Sequence, residues 1–171
     1  MKYVSVLSAA VLGLSLAACA SKPAPVEPTP APVERPAPQP RPEPQGPVAG
    51  SVQDFEVNAG DRVFYGYDRY DLTGEARETL RRQASWLNAY PQTRILIAGN
   101  CDERGTREYN LALGNRRAQS ARDFLISQGV DPSRISVVSY GKERPTCTEN
   151  SERCHAVNRN AITVITDGAA S

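Results

Sequence analysis

The chain has 171 residues, with 20 Lys and Arg against 19 Asp and Glu, a formal charge of +1 at neutral pH and 40% hydrophobic residues. That balance excludes a nonspecific nucleic-acid binder, which needs a basic surface. The length leaves room for one domain once the N-terminal segments are set aside.

The first segment reads as an address. Lys2 is followed by an apolar run from Val4 to Leu16, which closes on Leu-Ala-Ala-Cys at residues 16–19. The run is too short to span a bilayer and has the length of a secretory h-region. Its end resembles the lipobox, at which a bacterial lipoprotein is acylated on Cys and cut just before it. That resemblance implies a signal peptide over residues 1–18 and acyl chains such as palmitate on Cys19. An ordinary signal peptide that happens to contain a Cys is the alternative. A diacylglycerol plus an amide-linked chain exceeds the two hydrophobic signals that stable anchoring takes. Ala20, with no Asp beside the Cys, implies outer-membrane sorting by the same resemblance. Removal of Lys2 brings the mature side chains to 19 basic against 19 acidic.

From Ser21 to Val48 the chain carries eleven of its fourteen prolines and no aromatic residue. It cannot bury apolar surface, and it is expected to form an extended polyproline II spacer of roughly 90 Å. With Cys19 it makes a tether over residues 19–48, ahead of a domain over 49–171. A PxxP ligand for a partner is the other use of such a segment.

Asp61 to Asp68 reads as a strand, aromatic and β-branched between Gly60 and Gly66. Thr73 caps a helix whose apolar stripe runs Ala76, Leu80, Ala84, Leu87 and which Pro91 stops. Thr93 to Gly99 is a second strand. Thr106 caps a longer helix with Leu111, Gly114, Ala118, Ala121 and Leu125 on one face and Gly129 past its end. Arg134 to Gly141 and Asn160 to Thr166 give strands three and four. Strands alternating with helices make the first three strands mostly parallel. The expected fold is a two-layer α/β sandwich, βαβαβ-β, with helices on one face of a mostly parallel four-stranded sheet.

Open α/β sheets bind ligands at the carboxyl ends of their strands, where helix N-termini present free N–H groups. The turn Asn100 to Gly105, with Thr106 heading the helix, is the expected pocket. Arg117 lies about 100° round the helix from Ala118, at the edge of the buried stripe, whereas Arg116 lies about 160° away and faces water. Gly114 lets the helix approach the sheet, which brings Arg117 toward Asp102. A carboxylate and a guanidinium that do not consume each other suit a zwitterion, Asp102 for the ammonium and Arg117 for the carboxylate. A plain salt bridge between them is the alternative, and spacing alone does not decide. The exposed Arg81, Arg82 and Arg116 read as a solvated face or as a partner surface.

The stretch Gly99 to Ala118, GNCDERGTREYNLALGNRRA, with FYGYDRYDL upstream and SYGKERP and NRNAITVI downstream, resembles the OmpA-like C-terminal domain, and within that family the peptidoglycan-associated lipoproteins. The resemblance covers about Phe55 to Thr166. It implies noncovalent binding of the diaminopimelate stem peptide of peptidoglycan, with Asp102 and Arg117 as the ligand pair. By the same match the backbone of Tyr67 and Asp68, together with Leu113, would line the pocket, and Thr106, at the start of the helix beside the turn, is counted with them. Arg159 would be pocket support or surface charge, and Asn100 stands where relatives often have His. The resemblance further implies membership of the Tol-Pal system with TolB as a competing partner, a role in envelope integrity and division, and outer-membrane localisation. An OmpA-like lipoprotein outside the Tol system is the runner-up. No cofactor and no metal is implied.

With Cys19 lipidated, three cysteines remain for an oxidising compartment. Cys147 and Cys154 lie seven apart in a polar loop and are expected to pair, leaving Cys101 as a small half-buried thiol. Zinc held by three Cys and His155 lacks the usual ligand spacing. A Cys hydrolase built from Cys101, His155 and Asp102 is the remaining enzymatic alternative. It lacks a nucleophile elbow, and His155 adjoins the expected disulfide. The chain is expected not to be an enzyme.

Overall fold

The computed structural model describes residues 46–170. The expected signal peptide, the lipidated Cys19 and nearly all of the proline-rich tether lie outside the described residues.

Ser51 caps a short helix, α1 (Val52–Asp54), which continues as a π-helical turn over Phe55–Ala59. β1 (Arg62–Phe64) follows, then α2 (Gly74–Ala89), β2 (Arg94–Asn100), α3 (Arg107–Ser127), β3 (Ile135–Gly141), α4 (Glu152–Asn158) and β4 (Asn160–Asp167). The two long helices start at the residues whose hydroxyls cap them. The Thr73 side chain accepts from the Ala76 N–H and the Thr106 side chain from the Tyr109 N–H, each satisfying a backbone donor with no intrahelical partner.

The sheet order is β1-β4-β2-β3. β1, β2 and β3 run in one direction, as alternating strands and helices require. β4 enters between β1 and β2 and runs antiparallel to both, so only the β2–β3 ladder is parallel. β1 is also shorter than the strand expected over Asp61 to Asp68. Tyr65 makes one further backbone bond, to Arg159, and the Gly66 and Arg69 carbonyls then turn to the Arg117 guanidinium instead of a strand neighbour.

Leu80 and Leu87 from α2, Ala118, Ala121 and Leu125 from α3, and Ile95 and Ile97 from β2 form one core between helices and sheet, each no more than 2% exposed. Each buried Leu or Ile contributes about 1.5–3 kcal/mol relative to an exposed one. Where α3 crosses β2 the approach is closest. A Cβ on Gly99 would sit 2.7 Å from the Gly114 carbonyl carbon and nearer still to its oxygen, and one on Gly114 would sit 2.8 Å from the Gly99 oxygen. Two glycines facing each other therefore let the helix lie on the strand. This contact sets where the side chains of α3 stand over the ends of the strands.

Candidate ligand-binding site

The C-terminal ends of β1, β2 and β3 and the start of β4 meet at one edge of the sheet. Beside the first turns of α3 this edge opens into a cleft of about 210 Å³, lined by Tyr67, Asp68, Cys101, Asp102, Arg104, Gly105, Tyr109, Asn110, Leu113 and Arg117.

Arg117 forms the floor. It is 1% exposed, and its guanidinium spans two segments: Nε donates to the Arg69 carbonyl (2.8 Å), Nη1 to the Asn100 carbonyl (2.8 Å) and Nη2 to the Gly66 carbonyl (3.2 Å). Tyr65 packs beneath it, ring to guanidinium 5.3 Å, and its hydroxyl donates to the Arg117 carbonyl. Burial pushes the Tyr65 phenol up to about 12, so it stays protonated and able to donate. Burial likewise pulls the Arg117 pKa down, but a guanidinium remains charged. Three of its five N–H groups are used by carbonyls, which leaves two without a carbonyl partner. Arg116, its neighbour, is exposed beside the Tyr70 ring, so the two arginines do take opposite environments.

Asp102 is also buried. Its Oδ1 accepts from the Arg104 N–H (3.2 Å), and its Oδ2 accepts from the Arg104 guanidinium and from Arg159 Nη1 (3.3 Å). Burial opposes its ionisation, but these hydrogen bonds outweigh it and hold its pKa below the usual aspartate value. No ion pair joins Asp102 to Arg117 among the described residues. The salt bridge that spacing left open is thus not formed, and the expectation of a free acid is corrected as well. Asp102 is neutralised by Arg104 and Arg159, which the folded chain brings from its own turn and from the start of β4. The cleft lining carries Asp68 and Asp102 against Arg104 and Arg117, and Arg159 behind it is paired with Glu152, a balance of charge that suits a ligand carrying both signs.

Arg159 is 7% exposed and is support rather than surface. Besides Asp102 it reaches the Tyr65 carbonyl (3.1 Å) and Glu152 Oε1 (2.8 Å). Asn100 bonds Asn160 and stays behind the floor.

A model of the OmpA family matches residues 64–159. The chain is 46% identical over 166 residues to the peptidoglycan-associated lipoprotein of Mesorhizobium japonicum, covering 97% of this chain and 94% of that one. The chain belongs to the OmpA family. Its place within that family is with the peptidoglycan-associated lipoproteins. The protein of that name from Brucella melitensis is 53% identical over 116 residues, covering 68% of this chain and 69% of that one. A crystal structure of the peptidoglycan-associated lipoprotein from Burkholderia pseudomallei superposes with a TM-score of 0.63 at 38% identity, over 65% of this chain and 96% of that one.

In this OmpA-family domain the cleft gathers Tyr67, Asp68, Asp102, Leu113 and Arg117 of the residues expected from sequence. Thr106 is not among its lining: its side chain is engaged in capping α3. Arg104, Tyr109 and Asn110 line the cleft and were missed. All three lie in the turn after β2 or in the first turn of α3, and that position was the available signal. The Tyr109 hydroxyl donates to the Asp68 carboxylate across the rim, and Asp68 adopts a left-handed backbone, φ 54°.

Cys147 and Cys154 are joined, their Cα atoms 5.3 Å apart. Cys101 is free and buried; its thiol points to the Asn110 carbonyl (3.4 Å), and burial pushes its pKa up to about 11. The His155 ring faces Glu103 (3.3 Å) and Glu152 (3.6 Å). Cys101, His155 and Asp102 therefore do not assemble as nucleophile, base and orienter.

Proposed function

We propose that the chain is an outer-membrane lipoprotein that binds peptidoglycan noncovalently through the diaminopimelate stem peptide and so tethers the outer membrane to the cell wall. Residues 1–18 are removed as a signal peptide, Cys19 carries the lipid, residues 19–48 form the tether and residues 49–171 hold the wall. The alignment with a lipoprotein over 166 of 171 residues supports the N-terminal assignment, since it must include that segment.

The observation that carries the reading is a buried acid and a buried base that share one cleft without pairing with each other. The two spare N–H groups of Arg117 grip a stem carboxylate, and Asp102 takes the ammonium on the same carbon. Leu113 and the Tyr67 ring flank the methylene chain, and the Asp68–Tyr109 pair closes the rim. Binding proceeds without bond breaking, and burial keeps the Cys101 thiol protonated. One zwitterion in a wet cleft gives modest affinity per site, and many copies on a polymeric wall raise it by avidity. The protein works within the Tol-Pal system, where TolB competes for the domain, in envelope integrity and division.

Co-sedimentation with purified sacculi tests the reading. Arg117→Ala should lose most wall binding and Arg116→Ala little; equal losses contradict the role given to the floor. Capture of TolB by the same preparations tests the Tol assignment separately, and wall binding without TolB capture would remove that assignment alone.

A further inference from the structure

Two arginines hold the same oxygen of Asp102, and they are built differently. Arg159 has a side chain 9% exposed, anchored as well by the Tyr65 carbonyl and Glu152. Arg104 belongs to the turn after β2, and its side chain is 36% exposed. It lies over the exposed Tyr67 ring at 4.2 Å and reaches Glu152 only at 3.3 Å. Its Nε is the one buried side-chain polar atom without a hydrogen-bond partner among the described residues. An unmade hydrogen bond at a buried donor is a standing cost, so the seat of Arg104 on Asp102 is incompletely satisfied while that of Arg159 is not.

We infer that Arg104 is a built-in competitor for Asp102, a guanidinium that the ligand's ammonium displaces on binding and that thereby sets the affinity of the cleft. The inference rests on the zwitterion reading of the site. A primary ammonium entering the cleft replaces one cation by another on Asp102 Oδ2, leaving the charge there unchanged. The released Arg104 side chain swings toward solvent, where Nε gains water. Tyr67 supplies a face on which the guanidinium can remain stacked during the exchange. A ligand without the cation has nothing to exchange and leaves Arg104 in place.

Calorimetric titration of the full chain with a diaminopimelate-containing muropeptide, and with the same muropeptide acetylated on the free amine, separates the possibilities. Arg104→Gln should tighten the free-amine ligand about fivefold, the equivalent of one half-exposed ion pair no longer broken. It should leave the weak acetylated ligand unchanged, and Arg104→Lys, which keeps a competing cation, should behave as wild type. Weaker binding in Arg104→Gln would make Arg104 a ligand contact, equal tightening of both ligands would make it a steric lid, and no change would leave it idle; each overturns the inference while the cleft reading stands. If wild type takes up neither ligand, the cleft reading itself fails. On the wild-type chain, NMR exchange of the Arg104 Nε–H with water should quicken on saturation with the muropeptide, and an exchange rate that holds or slows overturns displacement.

Discussion

Replacing Gly99 by Ala places a methyl against backbone. Its Cβ would meet the Gly114 carbonyl carbon at 2.7 Å, the oxygen nearer still and the Ala118 nitrogen at 3.2 Å, so no side-chain rotation can relieve it. Restoring ordinary contact at 3.4 Å requires α3 to retreat by at least about 0.7 Å, by simple difference from that carbon. The same retreat stretches the 2.8 Å bond from Arg117 Nη1 to the Asn100 carbonyl to the limit of hydrogen bonding. We expect a loss of about 3 kcal/mol, the upper end for overpacking, together with weaker wall binding. Gly114→Ala meets the Ser139 hydroxyl first, a group that can turn away, and then the Gly99 carbonyl oxygen at 2.8 Å, which cannot. Its overpacking is partly offset by about 1 kcal/mol of helix propensity, for a net loss of about 1 kcal/mol. Adding Ser139→Ala should recover part of the Gly114→Ala loss and none of the Gly99→Ala loss, a double-mutant comparison that separates side-chain from backbone obstruction. Urea denaturation of the single and double variants, Ser139→Ala alone included, reads the stabilities. A Gly99→Ala midpoint equal to wild type, with wall binding intact, would refute the idea that helix-to-strand contact positions Arg117.

Because the pKa of Asp102 is depressed in the folded chain, its contribution to stability is present at neutral pH and lost as pH falls below about 4; Asp102→Asn should be less stable at pH 7 and show a flatter acid limb in pH-dependent denaturation, and an unchanged limb would contradict the network drawn around it. Tyr65→Phe removes the 2.8 Å bond to the Arg117 carbonyl and should cost about 1 kcal/mol by the same denaturation assay. Cys101, with its thiol pushed up to about 11, should resist iodoacetamide at pH 8 in the native chain and react on unfolding; rapid native labelling of its peptide, read by mass spectrometry, would show the site to be open.

Much of the site's scaffold was legible in the sequence because it rests on local rules. Thr73 and Thr106 announced their helices, and 100° per residue separated Arg117 from Arg116. What escaped depends on long-range pairing. Nothing in the periodicity of β4 says that it slides between β1 and β2 rather than joining the edge. α4 is seven residues long, polar and tied to a disulfide, so the segment read as loop, although the Ser151 side chain caps it; with it went Glu152, which helps hold Arg104 and Arg159. The partners of Asp102 were partly legible: Arg159, 57 residues away in sequence, entered as pocket support or surface charge only through the resemblance, and Arg104, two residues on in the same turn, went unassigned because no spacing rule directs its guanidinium to Asp102.

As proposed, the cleft holds a diaminopimelate head group between Asp102 and Arg117. Calorimetric titration of the chain with a diaminopimelate-containing muropeptide, against one carrying lysine in its place, tests it most directly. Saturable binding of the first at one site per chain, much weakened for the lysine form that lacks the second carboxylate, is the expected result. Equal affinity for both, or heat from neither, would contradict it.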